Sequence, residues 1–221
     1  MKTMNYTETK LGYEIFAELR DRIIYLDYAP ETVLLEKELC TEFKVSRTPL
    51  REAILKLEEM NLVRSIPRFG TYVTHIDTNE IIRTYEVKID LELLAGSLAA
   101  QRRTADELKD LEKATSLAVR AKSEKNIRKR FEGDFQFHAA IWQSSHNDVL
   151  EKILADLHAR CLRFCIATIP PSGWESNSPE EFGIIYEAIK NKDKKKTAEL
   201  LAAHNRQFIE RIKASSFNLD P

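Results

Sequence analysis

Residues 34–60, LLEKELCTEFKVSRTPLREAILKLEEM, decide how the chain is read. Leu35, Leu39 and Phe43 recur at helical spacing, and Leu50, Ile54 and Leu57 do so again after a short interruption. This pattern predicts two amphipathic helices, joined by a tight turn at Phe43-Lys44-Val45, with both apolar faces directed into one core. Ser46 stands where the N-cap of the second helix is expected. Arg47, Thr48 and Arg51 are then left on the solvent side of that helix, with the two guanidinium groups one turn apart.

A helix-turn-helix puts the front of its second helix in the DNA major groove, where arginine pairs bidentately with guanine or reaches phosphate. The bland alternative is a buried helical hairpin with solvated arginines. The formal net charge of the 221 residues is −1, so binding to a polyanion cannot rest on bulk charge. It can rest on a local excess. From Lys44 to Arg68 six cations stand against three glutamates, a local +3. Lys37, on the first helix, is a candidate phosphate contact.

Upstream, Leu11, Ile15, Leu19, Ile23 and Leu26 predict a first helix that stops near Pro30, because proline cannot continue the hydrogen-bond ladder. Downstream, Asn61 occupies the place of a left-handed C-cap. Residues 62–66 and 71–73 read as strands joined by the turn Pro67-Arg68-Phe69-Gly70. Helix, helix-turn-helix and hairpin make a winged helix over residues 1–76. Arg68 and Gly70 at the wing tip are candidates for a second DNA contact, because glycine lets backbone approach a phosphate and arginine fits a narrow minor groove.

Residues 77–221 carry no strand signals. Apolar spacing through Ile81 to Leu93, Leu108 to Leu117, Ile127 to Ile141, Ile153 to Ile169, Ile185 to Ile189 and Leu201 to Ile212 predicts about six helices. Asp77-x-x-Glu80, Thr104-x-x-Glu107 and Ser178-x-x-Glu181 have the form of capping boxes at helix starts. Pro170-Pro171-Ser172-Gly173 breaks the run between the fourth and fifth helices, and no internal repeat is present. The fold class is therefore mainly α: an N-terminal winged helix-turn-helix followed by an all-α bundle. Three scattered cysteines, no apolar signal segment and no run long enough to span a membrane predict a cytoplasmic protein.

Within the helical part, Asp134 and His138 lie four residues apart and project from one helix face, a spacing that suits two ligands of one metal as well as an ion pair. His158, Cys161 and Cys165 also share a face. Such a face could bind a soft metal or sense oxidation, but it continues Leu154, and core packing is the preferred reading. The lysines of residues 190–196 read as solvated. Trp142 and Trp174 read as packing residues, Trp174 in a loop that could cover a pocket.

Leu34-x-Glu36-x-x-Leu39 followed by Val45-Ser46-Arg47-Thr48-Pro49-Leu50-Arg51-Glu52-Ala53 resembles the helix-turn-helix of the GntR family of bacterial transcription regulators. Asp134-x-x-Phe137-His138, Asn147 and a late His204 are similar to the FCD-type ligand-binding domain of that family's FadR branch. The resemblance implies a homodimeric regulator, by analogy a repressor, that binds a palindromic double-stranded DNA operator and answers to a small effector, often a carboxylate. It also implies a divalent ion, zinc, nickel or manganese, on Asp134, His138, His204 and a further histidine 22 residues before His204. That position holds Phe182, which weakens and dehydrates the implied site. Lys88 stands where the family often has an effector-binding arginine, with Arg160 a second candidate. The alternative for His138 and His204 is direct hydrogen bonding to an anion. The alternative for the whole protein is a metal-dependent hydrolase using Asp134, His138 and His204.

Overall fold

The computed structural model describes residues 10–121, 124, 126–168 and 179–216, and the side chains of 179 and 211–216 are not among those described. The expectations placed on Ile169, the Pro170–Gly173 break, Trp174, Ser178 and the Ile212 side chain lie outside the described residues. Two compact units divide between Ile76 and Asp77.

In the first unit, α1 (Lys10–Ile24), α2 (Glu36–Phe43) and α3 (Arg47–Glu59) pack around Ile15, Leu19, Ile23, Leu39, Leu50, Ile54 and Leu57, all nearly free of solvent. Lys44 ends α2 in the left-handed conformation, which turns the chain sharply into α3. At the far end of α3 the Asn61 amide donates to Glu58 and the Leu62 amide to Leu57, with Asn61 at φ +56°. That is a Schellman ending, with asparagine in the glycine position. Two expected core positions are corrected: Leu11 and Leu35 are about half exposed. Each sits at the start of its helix, past the edge of the small three-helix core.

The wing is a three-stranded antiparallel sheet in the order β1-β3-β2, with β1 Val33–Leu34, β2 Val63–Ile66 and β3 Gly70–Val73. β1 is not legible in the sequence, since two residues show no alternation. It pairs Val33 with Tyr72 and Leu34 with Thr71, which ties the entry to α2 onto the wing. At the tip the Phe69 amide donates to Ile66, and Arg68 takes φ +69° after Pro67. This is the backbone a type II turn requires. Gly70 follows at φ +110°, a conformation that a side chain would strain.

The second unit is helical among its described residues: α4 (Thr78–Arg102), α5 (Ala105–Ala121), α6 (Ile127–Ser144), α7 (Asp148–Thr168), α8 (Pro179–Lys190) and α9 (Lys194–Ser216). Asp77 caps α4 through Asn79, and Asn126 caps α6. Thr104 and Glu107 complete a reciprocal capping box, at 2.7 and 3.2 Å. A core of Leu111, Phe137, Ile141, Phe182, Ile185, Ile189 and Leu201 joins α5, α6, α8 and α9. The periodicity misplaces some side chains. Leu93, Leu117, Phe135 and Ile153 are exposed, while the small residues Ala95, Gly96, Ala99 and Ala100 face inward. Small residues let backbones approach closely, so a helix face made of them is core despite its modest hydrophobicity.

Gly133 shows this most sharply, one residue before Asp134. A β-carbon there would stand 2.5 Å from Ala121 Cβ and 3.2 Å from the Ala118 backbone of α5. Gly133→Ala gains ~1 kcal/mol of helix propensity. We expect it nonetheless to lower stability by about 1–3 kcal/mol through overpacking. Urea denaturation measures this, and a variant as stable as the parent would contradict the close α5–α6 approach.

Candidate functional site

Two surfaces hold the side chains singled out by the sequence. On the first unit, Ser46, Arg47 and Thr48 open α3 and are exposed, as are Lys37, Arg68 and Gly70. Ser46 is the N-cap of α3 by position and backbone conformation, as expected, but its side chain makes no capping hydrogen bond and the residue is exposed. Arg51 is exposed and its fork is held by Glu36: Nε donates to Oε1 at 3.1 Å and Nη2 to Oε2 at 3.2 Å. This pairing raises the Arg51 pKa. Glu36 thus fixes the planar guanidinium one turn beyond Arg47, on the same exposed helix.

On the second unit, α4, α6, α7 and α9 enclose a cavity with about 20 Å³ of free space, lined by Lys88, Asp134, His138, His158, His204 and Asn205 among others. The space fits an ion or one water, well below the roughly 300 Å³ at which small-molecule sites begin. Asp134, His138 and His204 each bring a ligand atom within 4.8 Å of the other two. His138 Nε2 and His204 Nε2 face each other at 3.4 Å. The opposite ring nitrogens are backed by carboxylates: His138 Nδ1 lies 3.1 Å from Glu92 Oε1, and His204 Nδ1 lies 3.3 Å from Glu181 Oε2, in close contact and off ideal hydrogen-bond angles.

Carboxylate, imidazole and an inward Nε2 is the arrangement that outer partners impose on metal-ligating histidines. Carboxylates at Nδ1 favour a proton there, so the two Nε2 lone pairs meet across 3.4 Å and call for a shared cation, either a proton or a metal ion. Two nitrogens bound to one tetrahedral zinc at its usual bond length stand about 3.4 Å apart. The residues present therefore fit a divalent ion.

Glu92 organises this site. It is fully buried, accepts from Lys88 Nζ at 3.0 Å and from Trp142 Nε1 at 3.1 Å, and lies against His138. Burial pushes its carboxyl up, but Lys88 and His138 outweigh burial and hold it well below the usual range. Lys88, also buried, donates in addition to Asn205 at 2.6 Å. Asp134 follows the same pattern: burial raises its pKa, and His138, His158, His204 and Lys88 together bring it below the ordinary value.

The structure thus brings Lys88, Asp134, His138 and His204 together. Arg160 is not among the lining residues; its guanidinium sits 3.9 Å from Glu80. Phe182, at the expected imidazole position, is buried edge-on against Phe137, with ring centres 4.7 Å apart. Cys161 and Cys165 are buried free thiols with pKa values raised chiefly by burial, Cys161 to about 12, in keeping with packing. His158 is buried as packing requires, against Phe135 and Trp142, and has a second property. It lines the polar cavity, its Nε2 has no hydrogen-bond partner among the described residues, and burial lowers its pKa to about 3. Sequence reasoning also missed Glu92, Trp142 as a donor, and Glu181. The i, i+4 spacing of Lys88 and Glu92 was the one available signal, and it reads as a surface pair until burial is known.

Comparison with known proteins matches each of the two units to a family. Residues 83–207 match the FCD domain, and residues 11–73 match "Bacterial regulatory proteins, gntR family". The chain belongs to the GntR family. Within that family it is 26% identical over 208 residues to the HTH-type transcriptional repressor RspR of Escherichia coli, covering 92% of this chain and 89% of the relative. It is 27% identical over 204 residues to the HTH-type regulator YdhC of Bacillus subtilis, covering 90% of each. The solved structure of E. coli McbR/YncC shares the fold at a TM-score of 0.82 and 22% identity, covering 94% of this chain and 99% of that one. Membership makes the protein a transcription regulator with a helical FCD domain, and the hydrolase alternative finds no support among these relatives.

Two outcomes follow for this GntR-family site. Glu92→Ala leaves the Lys88 ammonium buried and unpaired, and should cost about 3–5 kcal/mol in chemical denaturation; a loss below 1 kcal/mol would show that the pair is not buried. In chelator-treated protein, stability should fall in two stages on acidification. His158, depressed from 6.5 to about 3, is protonated first in the unfolded state, so stability drops as pH falls below about 6.5. The depressed carboxylates of Glu92 and Asp134 are protonated in the unfolded state below about 4.5, and their contribution is lost there. His158→Gln should remove the first stage and leave the second, as read from urea midpoints between pH 7 and pH 4.

Proposed function

We propose that this regulator is a homodimeric repressor whose winged helix, residues 1–76, reads a palindromic operator, and whose helical domain, residues 77–221, dimerises and holds a divalent ion and a small carboxylate effector. The outward face of α3 carries the proposal: Ser46, Arg47, Thr48 and Arg51 are exposed on a helix whose other face is fully packed, beside a wing tip presenting Arg68 and Gly70. Arg47 and Arg51 contact guanine edges or phosphates, and Arg51 exchanges its Glu36 partner for the base. Lys37 positions the module on a phosphate.

Apolar side chains left in solvent support dimerisation through the helical domain. Val87 and Leu94 on α4, and Val149 and Ile153 on the neighbouring α7, are all more than a third exposed. A dimer also matches a two-fold operator.

In the helical domain Asp134, His138 and His204 would hold the ion, oriented by Glu92 and Glu181. Zinc or nickel suits a site rich in imidazole better than manganese does. The ion, when bound, supplies a Lewis acid for one effector carboxylate oxygen. Lys88 places an ammonium at the cavity wall, and its third proton is free of the bonds to Glu92 and Asn205. The free space admits only the ion or a water, so the body of an effector enters by widening the cavity. That requirement gives the ligand different affinities for different arrangements of the protein, the condition for any coupling, typically ~1–3 kcal/mol.

Arg47→Ala and Arg51→Ala should each reduce operator discrimination by roughly 1–3 kcal/mol, whereas Lys37→Ala should weaken all duplexes alike and lower the salt slope by about one. Binding isotherms on specific and scrambled duplexes at several salt concentrations measure both effects. Unchanged specificity in both arginine variants would remove α3 from the reading of bases.

A further inference from the structure

We propose that His158 is a fourth protein ligand of the ion, supplying from α7 the imidazole that Phe182 does not supply from α8. This rests on the metal reading above, and the experiment below separates the two.

Phe182 is 2% exposed and locked edge-on against Phe137, so its position offers neither a nitrogen nor room for a water in its place. A trio of Asp134, His138 and His204 then leaves room in the ion's shell for a fourth protein ligand, and an ion that takes five or six ligands still keeps a position for an effector oxygen. His158 approaches the trio on the Asp134 side. It is 7% exposed, its ring centre lies 5.6 Å from that of His138, and Nε2 lies 3.8 Å from Asp134 Oδ2. Ligand atoms with bonds near 2.1 Å to a common ion stand about 3–4 Å apart, so the His158–Asp134 separation suits one coordination sphere, while His158 stands outside the 4.8 Å grouping of the other three and its ring closes on the ion by a small movement.

The bland alternative, a core histidine, is disfavoured by the ring's own surroundings. Phe135 and Trp142 flank it at 5.5 and 5.7 Å between ring centres, and they offer faces and edges, not an acceptor or donor for Nε2. Buried polar nitrogens are nearly always satisfied. The His158 Nε2 has no hydrogen-bond partner among the described residues, and it opens on the cavity shared by the other three ligand side chains. An ion satisfies it. The thiols of Cys161 and Cys165 line the same cavity, but burial raises their pKa values and keeps them protonated, so a nitrogen-and-oxygen set is favoured.

Chelator-stripped full-length protein titrated with cobalt(II) and zinc(II), in competition with a chromophoric chelator, tests this. Wild-type protein should bind one ion per chain, and His158→Gln should weaken binding by roughly 10–100-fold or more while changing the cobalt visible spectrum. Phe182→His in the His158→Gln background should recover affinity. Far-UV circular dichroism confirms folding of each variant. In unmutated protein, three imidazole pairs, those of His138, His158 and His204, should shift in long-range 1H–15N spectra on zinc addition. If His158→Gln leaves affinity and spectrum unchanged while His138→Gln abolishes binding, the ion is real and His158 is not its ligand. If wild-type protein takes up neither metal, both readings fall.

Discussion

The buried carboxylate of Glu92 is the constraint on which the helical domain depends. Its two oxygens are shared by Lys88, Trp142 and His138, so one charge ties α4 to α6 and, through Lys88 and Asn205, to α9. A charge so buried is tolerable only when its partners are in place. Once they are, the same contacts decide which nitrogen of His138 faces the cavity. Stability and ligand chemistry are therefore coupled in this domain: the ion pair that lets the core close also aims the imidazole.

Much of this protein was legible in its sequence, but unevenly. The winged helix could be read because its signals are local: the i, i+3/i+4 apolar spacing of Leu50, Ile54 and Leu57, the left-handed Asn61, and the proline-glycine turn at the wing tip. β1 could not, because two residues carry no period and their partner on β3 lies nearly forty residues away. Helix starts at Asp77 and Thr104 were readable as capping chemistry. The inward faces of α4 and α6 were partly misread, since Ala95, Gly96, Ala99 and Gly133 pack by being small and so leave no hydrophobic signature.

The site divides along the same line. Asp134 and His138 share a helix face, so their pairing is visible at i, i+4. His204, 66 residues from His138, is brought in by resemblance and then by the fold, which sets the two Nε2 atoms 3.4 Å apart. Glu92, Glu181 and His158 come from other helices, and only packing shows that they share one cavity or back its ligands. His158 reads as packing beside Leu154, Cys161 and Cys165, and it is buried with them; what it adds is an unpartnered nitrogen, which no sequence displays.

The central claim is a dimeric regulator whose helical domain closes around a single cation. Native mass spectrometry with elemental analysis of protein purified without added metal or chelator tests it most directly. The account predicts a dimer carrying one divalent ion per chain, lost on treatment with chelator. A metal-free monomer that takes up no zinc or nickel on addition would contradict it.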